Sequence, residues 1–242
     1  TGVSKGNIVS SAEINENLVL FNIVESAEPG NALIAVKDSE DNILWSWHIW
    51  SVDFDPEDSA QIYSNGSVLM DRNLGAISAT GGDTGSLGLM YQWGRKDPFM
   101  GGGDFNNTYA ATTPSDAISH EYLPDATVEY GISHPTVVCD EPAWKNGHED
   151  LWSRTKTIYD PCPVGWRVPD GGSNCVWSKA KGPSLRFSNT YDGKNAGMNF
   201  SGKFGSASIV WYPASGYRDY YGGSVNGVGG YGYYWSASHG YC

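Results

Sequence analysis

The chain has 242 residues, a formal net charge of −12 and a pI near 4.7, with 13% aromatic and only 17% charged residues. That acidity, with no Lys/Arg cluster, excludes phosphate-backbone binding and attraction to an anionic membrane surface. The aromatic content excludes a disordered acidic chain, and no apolar run approaches the ~18 residues of a membrane span.

Glycine (31) and proline (12) are spread along the chain rather than gathered into a linker. The spread favours β-rich or α+β architecture with many turns over a helical bundle. Cys139, Cys162, Cys175 and Cys242 form no C-x-x-C pair. They fit one or two disulfides in an oxidising compartment better than a zinc site, and three complete pairings are open. Thr1 leads straight into polar sequence without a secretory leader, so a processed or trimmed chain is expected.

Taken in order, Leu18 to Val24 is a compact apolar run that reads as a strand. Asn31 to Lys37 and Asn42 to Trp50 flank Asp38-Ser39-Glu40-Asp41, a hairpin turn in type. In Trp45-Ser46-Trp47-His48-Ile49 the large residues alternate with small or polar ones, the period of a half-buried strand. Phe54 to Asp58 breaks the pattern, and Ser67 to Met70 offers another short strand. Ser86 to Arg95 carries helix signals: Ser86 as N-cap, Leu87, Met90 and Tyr91 on one face, Gly94 at the C-cap. From Asp97 to Ala143 the chain reads as an elaborated loop, and Asp160 to Pro169 as a stiff, proline-framed segment. A short helix is expected from Ser173 to Lys181. Strands are expected near Arg186–Phe187, Met198–Phe200, Ser208–Tyr212 and Tyr231–Ser238.

Catalytic signatures are missing: no G-x-S-x-G, H-E-x-x-H or P-loop occurs. Gly227-Val228-Gly229-Gly230-Tyr231-Gly232 matches the dinucleotide fingerprint in letters, without the strand before it or the helix after it. The five histidines, His48, His120, His134, His148 and His239, are scattered. A Cys175–His148 pair is better read as a structural cysteine and a solvated histidine. Glu149-Asp150 reads as a solvated face or a calcium-compatible edge, and Asp104 with Asn106-Asn107 as at most a weak oxygen-rich cation site, since Asp, Asn and Gly belong in turns anyway.

The tail stands out. Between Trp211 and Cys242 lie ten aromatics, eight glycines and two charges, Arg218 and Asp219. Tyr and Trp supply rigid, amphipathic contact area at low entropic cost, as in recognition loops. Tyr231, Tyr233 and Trp235 alternate with Gly232, Tyr234 and Ser236, as in a core strand, and are expected to face the core. The polar, glycine-broken Tyr217–Gly230 loop, with His239 and Tyr241, is expected to make contacts.

Seven segments in order resemble one family: Gly30–Asp38, Ile43–Trp50, Met70–Ala76, Gly88–Phe99, Tyr159–Pro169, Pro213–Asp219 and Gly232–Ser238. The set is similar to fimbrillin-like surface lipoproteins of Bacteroidetes that carry a Fibrobacter-type major paralogous domain, over roughly residues 15 to 242. The resemblance implies an α+β, C-type-lectin-like fold with short helices, twisted antiparallel strands and long loops. An N-terminal β-rich segment, residues 1–50, would precede the lectin-like domain, residues 51–242, which is expected to be truncated at its C-terminus.

It also implies an extracytoplasmic adhesin, outer-membrane-anchored or fimbrial, that binds a glycan or host-surface protein and contacts other fimbrial subunits, without membrane insertion or catalysis. A structural subunit completed by strand complementation is the alternative, and an enzyme on the same scaffold a further one. Related lectin-like domains present C-terminal aromatic and polar positions to a partner. Carried over, this makes Arg218, Asp219, Tyr220, Tyr221, Asn226, His239 and Tyr241 the candidate ligand contacts. Family members continue past W-S-A-S to a final cysteine that often pairs with the position of Cys162. This chain ends at Cys242, so that pairing stays open. The E-P-N and W-N-D calcium/sugar motifs are missing. No cofactor is expected, and no motif implies calcium.

Overall fold

In the computed structural model, residues 8–25, 27–63, 66–105, 119–121, 123, 125–139, 150–172, 175–176, 191–200, 210–219 and 223–237 are described. They form a β-rich fold of small, mostly antiparallel sheets with little helix.

Two hairpins come first. β1 (Val9–Asn15) pairs with β2 (Leu18–Ile23), and β3 (Gly30–Lys37) with β4 (Ile43–Ser51), both antiparallel. The β3–β4 turn forms where the sequence places it, because the Asp38 carboxylate accepts from the amides of Glu40 and Asn42 and so closes the turn locally. Ile14, Val19, Ile34, Val36, Trp47 and Ile49 help line an open cleft of about 420 Å³ between the hairpins.

The phase of β4 departs from expectation. The buried residue is Ser46, while Trp47 on the other face is exposed. Size did not set the inward face; hydrogen bonding did. Ser46 Oγ donates to Asp97 at 2.9 Å, and Lys96 Nζ reaches Asp97 at 2.7 Å and Ser46 Oγ at 2.5 Å. Next to it, His48 Nε2 meets Asn31 Oδ1 at 2.8 Å and Nδ1 faces the Tyr91 hydroxyl at 3.4 Å. These bonds tie the hairpin to the body.

β5 (Gln61–Ile62) and β6 (Val68–Leu69) form a short ladder, the latter within the expected strand. The expected Ser86–Arg95 helix does not form. Asp83 caps a single 3₁₀ turn, Thr84–Ser86. Gly88 then takes a left-handed φ of +70°, which a helix interior forbids. The supposed apolar face is split. Leu87 packs with Val225 and Val228 and Met90 lies against them, whereas Tyr91 packs against the cluster of Trp93, Trp152 and Leu151.

The expected loop after Asp97 holds β7 (Ser119–Glu121), α1 (Val128–Ser133) and β8 (Val137–Cys139), with β7 and β8 parallel. Thr127 caps α1 by accepting from the Tyr130 amide, and Glu129 lies in the first turn, where the helix dipole favours an anion. Its far end is held by Arg95, whose guanidinium donates to the carbonyls of Gly131, His134 and Val137.

β9 (Tyr191–Asp192), β10 (Gly197–Asn199) and β11 (Trp211–Pro213) make a three-stranded sheet in the order β11-β10-β9. β12 (Tyr217–Arg218) pairs with β13 (Val225–Asn226). The core has three parts: one around Trp93 and Trp152, one around Tyr63, Phe200, Val210 and Tyr212, and a small one around Leu87. The expected helix at 173–181 and strand at 186–187 lie outside the described residues, apart from Cys175 and Val176, which are buried.

Cys175 is disulfide-bonded, to a partner not among the described residues, while Cys139 and Cys162 are free thiols. The pairing that the family resemblance attached to Cys162 is therefore not made. Burial raises both free thiols, with the Asp160 carboxylate adding to the effect at Cys162.

Candidate binding site

The expected core strand at Tyr231–Ser238 is not formed over its described residues, and the large residues expected inside lie outside. Tyr231 (61% exposed), Tyr233 (65%) and Trp235 (52%) face outward. The inward residue is Tyr234, which packs edge-on against Tyr212 with centroids 5.4 Å apart and donates its hydroxyl to Pro213 O at 2.5 Å. Burial drives the Tyr234 phenol well above its ordinary range.

This geometry builds a tyrosine platform. Gly216 makes a parallel bridge to Gly232, and the Gly216 amide donates to Tyr231 O at 2.8 Å, so residues 231–233 run beside β12. Tyr231 and Tyr233 flank Gly232 on one face. Gly232 points inward, where a Cβ would stand 2.9 Å from the Tyr234 ring and 3.1 Å from Pro213 O. Tyr217 (40% exposed) meets Tyr233 edge-on at 5.2 Å, and Tyr231 lies 6.4 Å from Tyr233 at 31°. Gly227, at φ +69°, passes under the rings. A Cβ there would come within 2.9 Å of Tyr231 and 3.4 Å of Tyr217. The hydroxyls of Tyr217, Tyr231 and Tyr233 have no hydrogen-bond partner among the described residues. Ring faces and free phenols together can hold a ligand by stacking and by hydrogen bonds.

Of the contacts expected from sequence, three are described. Asn226 is the cross-strand partner of Tyr217 and lies at the edge of the platform. Arg218 turns the other way: Nε and Nη2 both donate to Met100 O, at 3.0 and 2.7 Å, and Nη1 donates to Gly223 O. Desolvation lowers this guanidinium to about 10. Arg218 therefore staples the loop to residue 100. The Asp219 amide closes the same turn on Ser224 O at 2.8 Å. Tyr220, Tyr221, His239 and Tyr241 lie outside the described residues.

Sequence reasoning missed Tyr231 and Tyr233 as exposed residues. The signal was there in the Tyr-Gly-Tyr-Tyr run. A strand whose inward face is Tyr needs hydroxyl partners for each phenol, and only one of the two phases finds them.

The Ser46–Lys96–Asp97 group has nucleophile-and-base chemistry in name, yet all three side chains are sealed. The cavity beside it, lined by Arg95, Lys96, Asp97 and Tyr159 among others, has a volume of about 20 Å³, room for about one water. Burial pulls the Lys96 ammonium below its usual range against the attraction of Asp97. The group acts as a fastening.

No match to this chain is found among protein-family models, curated proteins or solved structures.

Proposed function

We propose that the chain is a non-catalytic, extracytoplasmic binding module of C-type-lectin-like fold, an adhesin acting at a cell surface or fimbria, that holds a glycan or host-surface protein on the Tyr217–Tyr231–Tyr233 platform. The observation that carries the reading is the outward exposure of three tyrosines, Tyr233 in ring contact with both Tyr217 and Tyr231, whose hydroxyls have no partner among the described residues. Aromatic side chains left in water cost apolar burial, and such a patch marks a contact surface. The disulfide at Cys175 supports an oxidising compartment. The short antiparallel sheets and sparse helix support the lectin-like assignment.

The test is a glycan and surface-protein array with wild type and the Tyr231→Ala/Tyr233→Ala double variant, both checked for folding by near-UV circular dichroism. Both rings are exposed, so the variant is expected to fold. Binding that disappears in the variant supports the platform; binding that persists removes it.

A second reading has its own observation. β1 and β2 pair only with each other among the described residues, and Ile14, Leu18, Leu20, Phe21 and Ile23 are exposed. A structural subunit that covers this hairpin with a neighbour's strand would show such edges. Light scattering over a concentration series decides it: growing oligomers favour the subunit, and a stable monomer removes it.

A further inference from the structure

The platform's surroundings narrow its ligand. Recognition of a carboxylate, sulfate or phosphate relies on a fork of N–H donors or an ammonium directed at the anion. The cation adjacent to Tyr217 in the chain is Arg218, and its fork is spent. The Nε–Nη2 edge, the side suited to a carboxylate, is closed on Met100 O, and Nη1 is held by Gly223 O. Swinging this side chain outward would strand two loop carbonyls. At the other edge, the Tyr191 hydroxyl donates to Gly229 O at 2.5 Å, joining β9 to the turn below the platform. Lys194 on that side shares its turn with the Asp192 carboxylate, which takes hydrogen bonds from Asn195 and from the Lys194 amide. That corner carries no surplus positive charge. With Asp219 next along the chain and a net charge of −12, the field around the site repels anions.

Size also selects. The three rings expose roughly 350 Å² together, against the about 800 Å² that each partner commits to a standard protein interface. That is too little to hold a protein by itself, and ample for one or two sugar rings.

We propose that the platform selects uncharged sugars: it takes neutral pyranose residues of a glycan, stacked on Tyr231 and Tyr233 with hydrogen bonds from the phenols, and discriminates against uronic, sulfated and sialylated glycans. This inference rests on the binding-module reading and commits it to one ligand class.

Affinity electrophoresis in native gels tests it. The gels are cast with neutral polysaccharides (mannan, galactan, mixed-linkage glucan, xylan) or acidic ones (polygalacturonate, hyaluronan, heparin), at low and moderate salt. Wild-type protein is run beside the Tyr231→Ala/Tyr233→Ala variant. The expected result is retardation by at least one neutral polymer and by none of the acidic ones. The double variant should lose roughly tenfold or more of that affinity, and the effect should be insensitive to salt. Retardation by an acidic polymer that the Tyr substitutions abolish overturns the selectivity while leaving the platform standing. Retardation that ignores those substitutions, or none by any polymer, overturns the platform as a glycan site and this inference with it.

Discussion

His48 shows how a single side chain can report the fastening of the β3–β4 hairpin. Its Nε2 faces a carbonyl-type oxygen, Asn31 Oδ1, because the Asn31 amide group donates to Gly75 O. The imidazole is therefore the neutral Nε2–H form, with Nδ1 accepting from Tyr91. Burial lowers its pKa to about 4, and the nearby Asp97 only partly opposes this. In the unfolded chain the same group titrates near 6.5. Between those values the unfolded state binds a proton that the folded state refuses, so stability falls as pH drops from about 6.5 towards 4. It is unaffected by His48 above that window. The full effect is on the order of 3 kcal/mol. Urea unfolding midpoints measured from pH 7.5 to 4.5 are expected to fall for wild type and to fall much less for His48→Gln. Equal slopes in the two proteins would show that His48 does not carry the acid sensitivity.

At the scale of elements, α1 is six residues long and far too short to stand on propensity alone. Its N-terminus has the Thr127 cap, and its C-terminus has Arg95, a buried guanidinium on three carbonyls. Only the planar fork of arginine reaches all three at once. Arg95→Lys keeps the charge, satisfies one carbonyl and leaves the rest buried, so the expected cost is about 2–4 kcal/mol. The urea midpoint reads it, and a shift within error of wild type would show that α1 is held by packing instead.

This bond also marks where sequence reading stopped. The hairpin turn at Asp38, β6 and β11 were legible because local rules decide them: an Asx turn, a short apolar run, a buried Trp-Tyr pair. The helix at Val128–Ser133 was not legible, since its stabiliser lies over thirty residues away. The expected helix at Ser86–Arg95 failed for the converse reason, since Leu87 and Met90 pack in one core cluster and Tyr91 in another. In β4 and again at Tyr231–Tyr234 the inward residues are not the ones that the alternation pointed to. Both inward faces are chosen by hydrogen bonds to distant partners, Asp97 and Pro213 O. Hydrophobic size alone carries no information about those partners. The candidate site was legible as a region, the aromatic tail, while Tyr231, Tyr233 and Trp235, expected to face the core, are exposed.

Over the whole molecule, stability is divided unevenly. The body is held by the Trp93–Trp152 and Tyr63–Tyr212 clusters, and β3–β4 joins it through the buried Ser46–Asp97–Lys96 group and His48. β1–β2 has no comparable tie among the described residues. Ile8 at its base is buried, and the bond its carbonyl accepts from the Val24 amide at 2.8 Å belongs to the hairpin's own ladder. Beyond Val9 nearly every residue of the hairpin is exposed. An isolated two-stranded ribbon is marginal in water. Opening β1–β2 thus exposes little new apolar surface and breaks only its own ladder, whereas opening β3–β4 strips a buried ion pair of its partners. Amide exchange followed by mass spectrometry should resolve the difference. Amides of residues 9–23 are expected to exchange roughly hundredfold faster than those of residues 31–37 and 44–50, corresponding to a local opening about 3 kcal/mol easier. The Tyr231→Ala/Tyr233→Ala variant should leave that ratio unchanged, because the platform and the hairpin share no bond among the described residues. Equal protection in both hairpins of the monomer would place β1–β2 inside the cooperative unit. Protection that rises with protein concentration would instead show the hairpin being covered by a neighbouring chain.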